Sequence, residues 1–150
     1  MERWRIRKAS ISDIGAITRI ERESFPDYPY PREVFYFYLR KCQEYFLVAE
    51  IDEELIGYVL GCADEDEGSI VSIAISPNHR GKGIGRMLME AVEKEMKERG
   101  VRKIKLEVSN LNFKARRLYE KLGYREISRI RNYYSDGSDA IVMEKIIRST

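Results

Sequence analysis

Polar and apolar residues alternate from Arg3 to Lys8 as they do in a half-buried strand. Ser12 then precedes a run in which Ile14, Ile17 and Ile20 recur at helical spacing, which predicts a helix capped by Ser12. The segment FPDYPYP, residues 25–31, ends that helix with three prolines. Pro31 suits the first turn of a second helix reaching about Cys42, since proline's missing N–H costs nothing there. Two strands follow, YFLVAEI and LIGYVLG, around the polar turn Asp52 to Glu54, which has hairpin length. SIVSIAIS is a further strand. From Gly85 onward Leu88, Ala91, Val92 and Met96 return to helical spacing until Gly100 stops the run. RKIKLEV reads as a strand, and Asn112 as the cap of a short helix with Ala115, Leu118, Tyr119 and Leu122 on one face and Gly123 at its end. Two last strands, roughly Tyr124 to Tyr134 and Ser138 to Ile147, flank the turn SDGS. The predicted order, β-α-α-β-β-β-α-β-α-β-β, is an α/β fold around one mixed sheet of seven strands with four helices.

Composition narrows this picture in three ways. A chain of 150 residues with 43% hydrophobic content buries one core and is too short for two ordinary domains, so residues 1–150 are expected to form a single domain. No run of eighteen apolar residues occurs, and MERWRIRKAS lacks the apolar stretch of a signal peptide, so a cytoplasmic protein with no membrane contact is expected. Cys42 and Cys62 have neither metal nor redox spacing and read as small buried hydrophobes in a reducing compartment. His79 is the only histidine, and no metal site is expected. The 35% of charged residues and the single glutamine lean toward a thermophilic composition.

Charge is nearly balanced, 27 basic against 25 acidic residues, which argues against a general nucleic-acid coat and against direct nucleic-acid binding. Its distribution is uneven. Glu50 to Glu67 holds eight acids and no base, whereas Arg102 to Arg131 holds ten bases against Glu107, Glu120 and Glu126. Two interpretations stay open: an anionic-ligand side apart from a cationic-substrate side, or a solvated surface.

The chemistry concentrates in SPNHRGKGIGRML, residues 76–88. Gly81, Gly83 and Gly85 let the backbone turn tightly and approach a ligand, and the helix beginning there directs free N–H groups and a partial positive charge forward. Arg80, Lys82 and Arg86 add full charges, so a pyrophosphate fits the turn. A nucleotide-triphosphate loop is excluded because no serine or threonine follows Gly-Lys. The dinucleotide fingerprint G-x-G-x-x-G fails at its third glycine, which falls on Arg86 or on Leu88.

RGKGIG resembles the Arg/Gln-x-x-Gly-x-Gly signature of the Gcn5-related N-acetyltransferases, with Arg80, Gly83 and Gly85 at the signature positions. LEVSNLNFKARRLYEKLGYREI, residues 106–127, and RNYYSDGSDAIVMEK extend the resemblance over nearly the whole chain, nearest to the ribosomal-protein alanine (RimI-type) and archaeal N-terminal acetyltransferase branch. The resemblance implies a mostly antiparallel sheet and acetyl-coenzyme A as donor. Its pyrophosphate would sit on the amides of Gly81, Lys82, Gly83, Ile84, Gly85 and Arg86, beside Arg80. Its pantetheine arm would run along Ile73, Ala74 and Ile75 like an added strand, with Asn112 hydrogen-bonded to it. His79 would adjoin the phosphates without acting as a base.

Acetyl transfer to an amine needs a base for the amine and an acid for the departing thiolate. In RimI-type enzymes these are a glutamate on the strand after the glycine-turn helix and a tyrosine twelve residues later, which are Glu107 and Tyr119 here. Read without the resemblance, Glu107 also suits an edge-strand surface and Tyr119 plain core. A free α-amine, with an ordinary pKa of about 7.7 to 8.0, asks less of such a base than a lysine at about 10.4. The resemblance also implies a peptide slot walled by Phe25 and Tyr28 on one side and Tyr133 and Tyr134 on the other, although aromatics there can equally seal the core. The expected acceptor is the N-terminal segment of a protein, ribosomal or other, and the enzyme a monomer or homodimer. A small amine or polyamine acceptor, drawn by the acidic loop at residues 64–67, and a CoA-binding module without turnover are the alternatives.

Overall fold

A computed structural model describes residues 3–147. Its elements run β1 (Trp4–Lys8), α1 (Ile14–Ser24), α2 (Arg32–Lys41), β2 (Phe46–Ile51), β3 (Glu54–Asp64), β4 (Glu67–Ile75), α3 (Ile84–Glu98), β5 (Lys103–Ser109), α4 (Phe113–Lys121), β6 (Arg125–Ile130) and β7 (Ala140–Ile146). The seven strands form one sheet in the order β1-β2-β3-β4-β5-β7-β6. Every neighbouring pair is antiparallel except β4 and β5. The order of elements and the mixed sheet are those the sequence pattern predicted, and the mostly antiparallel pairing is that which the resemblance implied.

Two cores lie on opposite faces of this sheet. Ile14, Ile17 and Ile20 of α1 and Phe35 of α2 pack on Phe46, Val48, Tyr58 and Leu60. Leu88, Met89, Val92 and Met96 of α3 pack on the other face with Leu47, Val59, Ile104 and Leu106. β2 is buried along its whole length because both faces are covered, and its sequence is apolar except for Glu50, which pairs with Arg7 at 3.2 Å. Each fully buried Leu, Ile or Phe contributes about 1.5–3 kcal/mol.

The parallel pair decides the rest. β4 meets β5 only at Glu67, Gly68 and Ser69, opposite Lys103, Ile104 and Lys105. Beyond Ser69 the strands separate: β4 stays paired to β3 as far as Ile75, and β5 to β7 as far as Ser109. The sheet therefore opens into a wedge, with the glycine turn and the starts of α3 and α4 at its wide end.

Three expectations need correction. Ser12 does not cap α1: a 3₁₀ turn at Ile11–Asp13 comes first, and Asp13 accepts hydrogen bonds from Ser10 N (2.8 Å) and from both terminal nitrogens of Arg7 (2.8 and 2.9 Å). That ion pair fixes where the helix begins. The sixth strand ends at Ile130, short of Tyr134, because Asn132 at φ 52° turns the chain out of the sheet. Cys42 and Cys62 are not separate thiols but a disulfide between the end of α2 and β3. The acidic and basic segments, for which the sequence leaves two interpretations open, touch at one point: Asp66 pairs with Arg102 (3.6 Å) and Glu67 with Lys103 (3.0 Å) where β4 and β5 meet.

Candidate active site

A cleft of about 700 Å³ fills the wedge. Ser69 to Ile73 of β4 form one wall and Lys105 to Ser109 of β5 the other. Asn112, Ala115 and Tyr119 of α4 and its cap close one side. Phe25, Tyr28 and Tyr30 enter from the loop between α1 and α2, and Tyr133 and Tyr134 from the loop between β6 and β7.

Glu107 stands in the middle of this aromatic group. It lies on β5, where the strand's alternation turns Leu106 and Val108 into the core and leaves Glu107 exposed to the cleft. Interaction with its carboxylate is felt by the rings around it. Hydrogen bonding to Glu107 is the largest influence holding the Tyr133 phenol above its ordinary value. Tyr134 is raised mainly by burial and then by the charge of Glu107. Tyr30 is raised by burial, with Glu21 and Glu107 adding to it.

Tyr119 is 6% exposed and packs edge-on against Tyr124 at 6.0 Å between centroids. Burial alone pushes its phenol up to about 12, so it carries its proton at any physiological pH. Asn112 caps α4 by accepting from Ala115 N at 3.2 Å, as the sequence predicts, and its side-chain NH2 is the group left to bind a ligand.

The glycine turn lies beyond the lining of this cleft, at the wide end of the wedge. Gly81 and Gly83 have φ of 78° and 83°, and a Cβ at either would meet nothing within 4 Å. The turn thus needs glycine for its left-handed backbone and leaves a cradle in front of it. Gly85 is helical, and a Cβ there would contact Leu118 of α4 at 3.5 Å. α3 starts without a side-chain cap hydrogen bond and without an acid in its first turn. Its leading N–H groups, flanked by Lys82 and Arg86, therefore suit an anion. Arg80 braces the turn: its Nε donates to Ile75 O (3.0 Å) and its Nη2 to Ser24 Oγ (3.0 Å). Ile73 lines the cleft, whereas the Ala74 side chain is buried against α1 and Ile75 packs on the α3 side. The β4 edge from Ile70 to Ile75 that faces away from β3 has no strand partner.

Residues 14–124 match the Acetyltransferase (GNAT) family. The chain belongs to the GNAT acetyltransferases. It is 40% identical over 141 residues to an uncharacterised N-acetyltransferase of Methanocaldococcus jannaschii, covering 93% of this chain and 90% of that protein. An N-alpha-acetyltransferase of Sulfurisphaera tokodaii is 37% identical over 93% of this chain and 91% of its own length. Among solved structures, the ribosomal-protein-S18-alanine N-acetyltransferase of Escherichia coli superposes with a TM-score of 0.88 at 29% identity, covering 99% of this chain and 96% of that one.

This GNAT protein is an acetyl-CoA-dependent N-acetyltransferase. The residues present fit that donor: an uncapped helix start with cations for a pyrophosphate, an open strand edge for an amide-bearing arm, and a cleft beside both. Sequence reasoning brought Glu107, Tyr119, Asn112, Ile73, Phe25, Tyr28, Tyr133 and Tyr134 into one place, and the cleft holds all of them. It missed Tyr30 and Glu21. Tyr30 stands in the same aromatic loop as Tyr28, and Glu21 falls on the buried stripe of α1, seven residues after Ile14 and four after Ile17.

Proposed function

We propose that this GNAT enzyme is a protein N-terminal acetyltransferase, with residues 1–150 acting as one domain. The observation that carries the reading is the cluster of Tyr30, Tyr133 and Tyr134 around the Glu107 carboxylate, built from two loops that face each other across the cleft. Flat aromatic faces with hydroxyl tips suit the first residues of a peptide and its backbone. Among the charged residues lining the cleft, Glu21, Asp27, Glu107 and Asp136 outnumber Lys105, so a protonated α-amine is attracted.

In this reading Glu107 is the general base, taking a proton from the acceptor amine through water. Tyr119 is the general acid and gives its proton to the departing sulfur. Bound acetyl-CoA supplies the activated acetyl group: the amine nitrogen forms a bond to its carbonyl carbon as the carbon–sulfur bond breaks. Backbone N–H groups around Ile73, Ala74 and Ile75 serve the charge that builds on the carbonyl oxygen. Gly81, Lys82, Gly83, Ile84, Gly85 and Arg86 hold the pyrophosphate by backbone and charge, with Arg80 as brace and Asn112 on the arm. Phe25, Tyr28, Tyr133 and Tyr134 hold the peptide.

The names of the two acetyltransferases above support a protein acceptor, a ribosomal protein being one case. A polyamine acceptor has weaker support, because two of the four acids of the loop at residues 64–67, Asp66 and Glu67, are paired to Arg102 and Lys103 where β4 and β5 meet. Pure protein incubated with acetyl-CoA and Ser-, Ala-, Met- and Glu-starting peptides, plus spermidine, tests the reading. Acetylation at the α-amine of at least one peptide, well above spermidine, is expected. Turnover of spermidine alone would refute it.

A further inference from the structure

Glu21 is the buried acid that the chemistry above leaves unused. It is 2% exposed, in the last turns of α1, on the face that also carries Ile14 and Ile17. Burying a carboxylate is costly unless its oxygens are hydrogen-bonded, and here they are. Oε1 accepts from the Tyr58 hydroxyl of β3 and from Ser72 Oγ of β4 at 3.1 Å, while those two hydroxyls lie 2.9 Å apart. The Tyr58 phenol is held well above its ordinary range, by burial first and by Glu21 next, so it remains a donor. Oε2 accepts from the backbone N–H of Tyr30 at 2.9 Å, nine residues along the chain.

That last bond reaches out of the core. Between Ser24 and Arg32 the chain has no regular secondary structure, and it passes three prolines that donate no backbone hydrogen bond. The Glu21 to Tyr30 contact ties this loop to β3 and β4 at the wall of the cleft. Tyr30 itself stands edge-on to Phe35 at 6.3 Å. It lines the main cleft, and it also lines a second groove of about 410 Å³ formed with Glu33, Val34, Phe37, Tyr38 and Val71. Tyr30 and Val71 are the two residues shared by both spaces, so the Tyr30 ring is a partition between them.

We infer that Glu21 is a positioning residue: through the Tyr30 N–H it fixes this partition, which sets the size limit on the first residue of the acceptor. The inference rests on the N-terminal acetyltransferase reading. Untethered, Tyr30 leaves its place, the cleft runs on into the groove beside α2, and bulky first residues gain access to it.

The test compares wild type, Glu21→Ala and Glu21→Gln by two measurements. The first is hydrogen exchange at the Tyr30 amide, which needs no acceptor. Protection is expected in wild type, lost in E21A and retained in E21Q. The carboxamide oxygen still accepts from Tyr30, while its NH2 faces Tyr58, whose hydroxyl then donates to Ser72. The second is the ratio of kcat/KM for an Ala-starting against a Phe-starting peptide. It is expected to favour Ala in wild type, to fall about tenfold in E21A, and to return to within about threefold of wild type in E21Q, with acetyl-CoA affinity held within about twofold throughout. Where the stranded Tyr58 hydroxyl unfolds E21A, Glu21→Leu combined with Tyr58→Phe replaces the pair with apolar groups and takes its place.

Unchanged protection in E21A overturns the tether. Lost protection with an unchanged ratio overturns the partition. A ratio in E21Q as low as in E21A also overturns it, because the charge and not the hydrogen bond would then be acting. If wild type acetylates neither of these nor any of the Ser-, Met- and Glu-starting peptides, the N-terminal reading fails, and amide exchange judges the tether by itself; where it accepts one of those instead of Ala, that peptide replaces the Ala-starting one in the ratio.

Discussion

The two ends of the wedge are made differently. At the glycine turn the groups proposed to face the donor are backbone: N–H donors at the start of α3, which has left-handed glycines before it and no side-chain cap hydrogen bond. In the cleft they are side chains, with Glu107 from β5, Tyr119 from α4, Tyr30 from the first loop and Tyr133 and Tyr134 from the last. A backbone site depends on local conformation and tolerates changes at its neighbours. A side-chain site assembled from four segments depends on the whole sheet to register its parts. The contrast teaches that donor binding and acceptor chemistry in this protein are separable, and substitutions should separate them.

The largest effect is expected at Glu107. Glu107→Gln should lower kcat at least about a hundredfold, the range for a lost general base, while calorimetry finds acetyl-CoA affinity within about twofold. An equal loss of donor affinity would break the contrast. Tyr119→Phe comes next, with kcat down by about ten- to a hundredfold. The wild-type pH profile sharpens that assignment. The protonated phenol is the active form, and burial raises its pKa to about 12, so kcat should show no descending limb from this group until pH approaches 12. The sign for stability is the same: a folded-state pKa above the unfolded value of about 10 gives stability that is complete below pH 10 and lost as pH rises to 12. A fall in kcat centred near 10 would mean that a different group supplies the proton.

Gly83→Ala should act at the other end. A side chain at φ 83° costs about 1–2 kcal/mol, and acetyl-CoA affinity should drop about tenfold with kcat at saturating donor little changed. The smallest effect on turnover is expected from reducing the Cys42–Cys62 bond, which lies outside the cleft lining and should leave kcat/KM within about twofold. Its loop spans a separation of 20 residues, for which closure entropy gives about 3 kcal/mol, so a scan with reductant should show a lower Tm. An unchanged Tm, with two free thiols by titration, would remove the bond from the account.

Particular residues show why some of this was legible in advance. Gly81 and Gly83 announce a tight turn because few other residues adopt their backbone, and Asn112 announces a cap because its side chain satisfies an N–H three residues on. The twelve-residue interval from Glu107 to Tyr119 carries its meaning through resemblance, since spacing does not tell a catalytic tyrosine from a packed one. Ser12 misled because Arg7, on β1 and six residues back, gives Asp13 the stronger role. Tyr133 and Tyr134 read as strand until Asn132 turned the chain, and that departure from the sheet is what frees them to face Glu107. Glu21 left a visible trace, a charge on an apolar stripe, but its partners on β3 and β4 lie 37 and 51 residues away.

By itself the sequence determined the elements, their order and the tight glycine turn at the start of α3, because these follow from side-chain periodicity and from backbone preferences within a few residues. Tertiary structure alone decided where β4 leaves β5, that Cys42 meets Cys62, that Asp66 and Glu67 pair with Arg102 and Lys103, and that Tyr30 is tied to Glu21. Each of these depends on contacts across the sheet, whose energies belong to pairs of residues that no local pattern brings together.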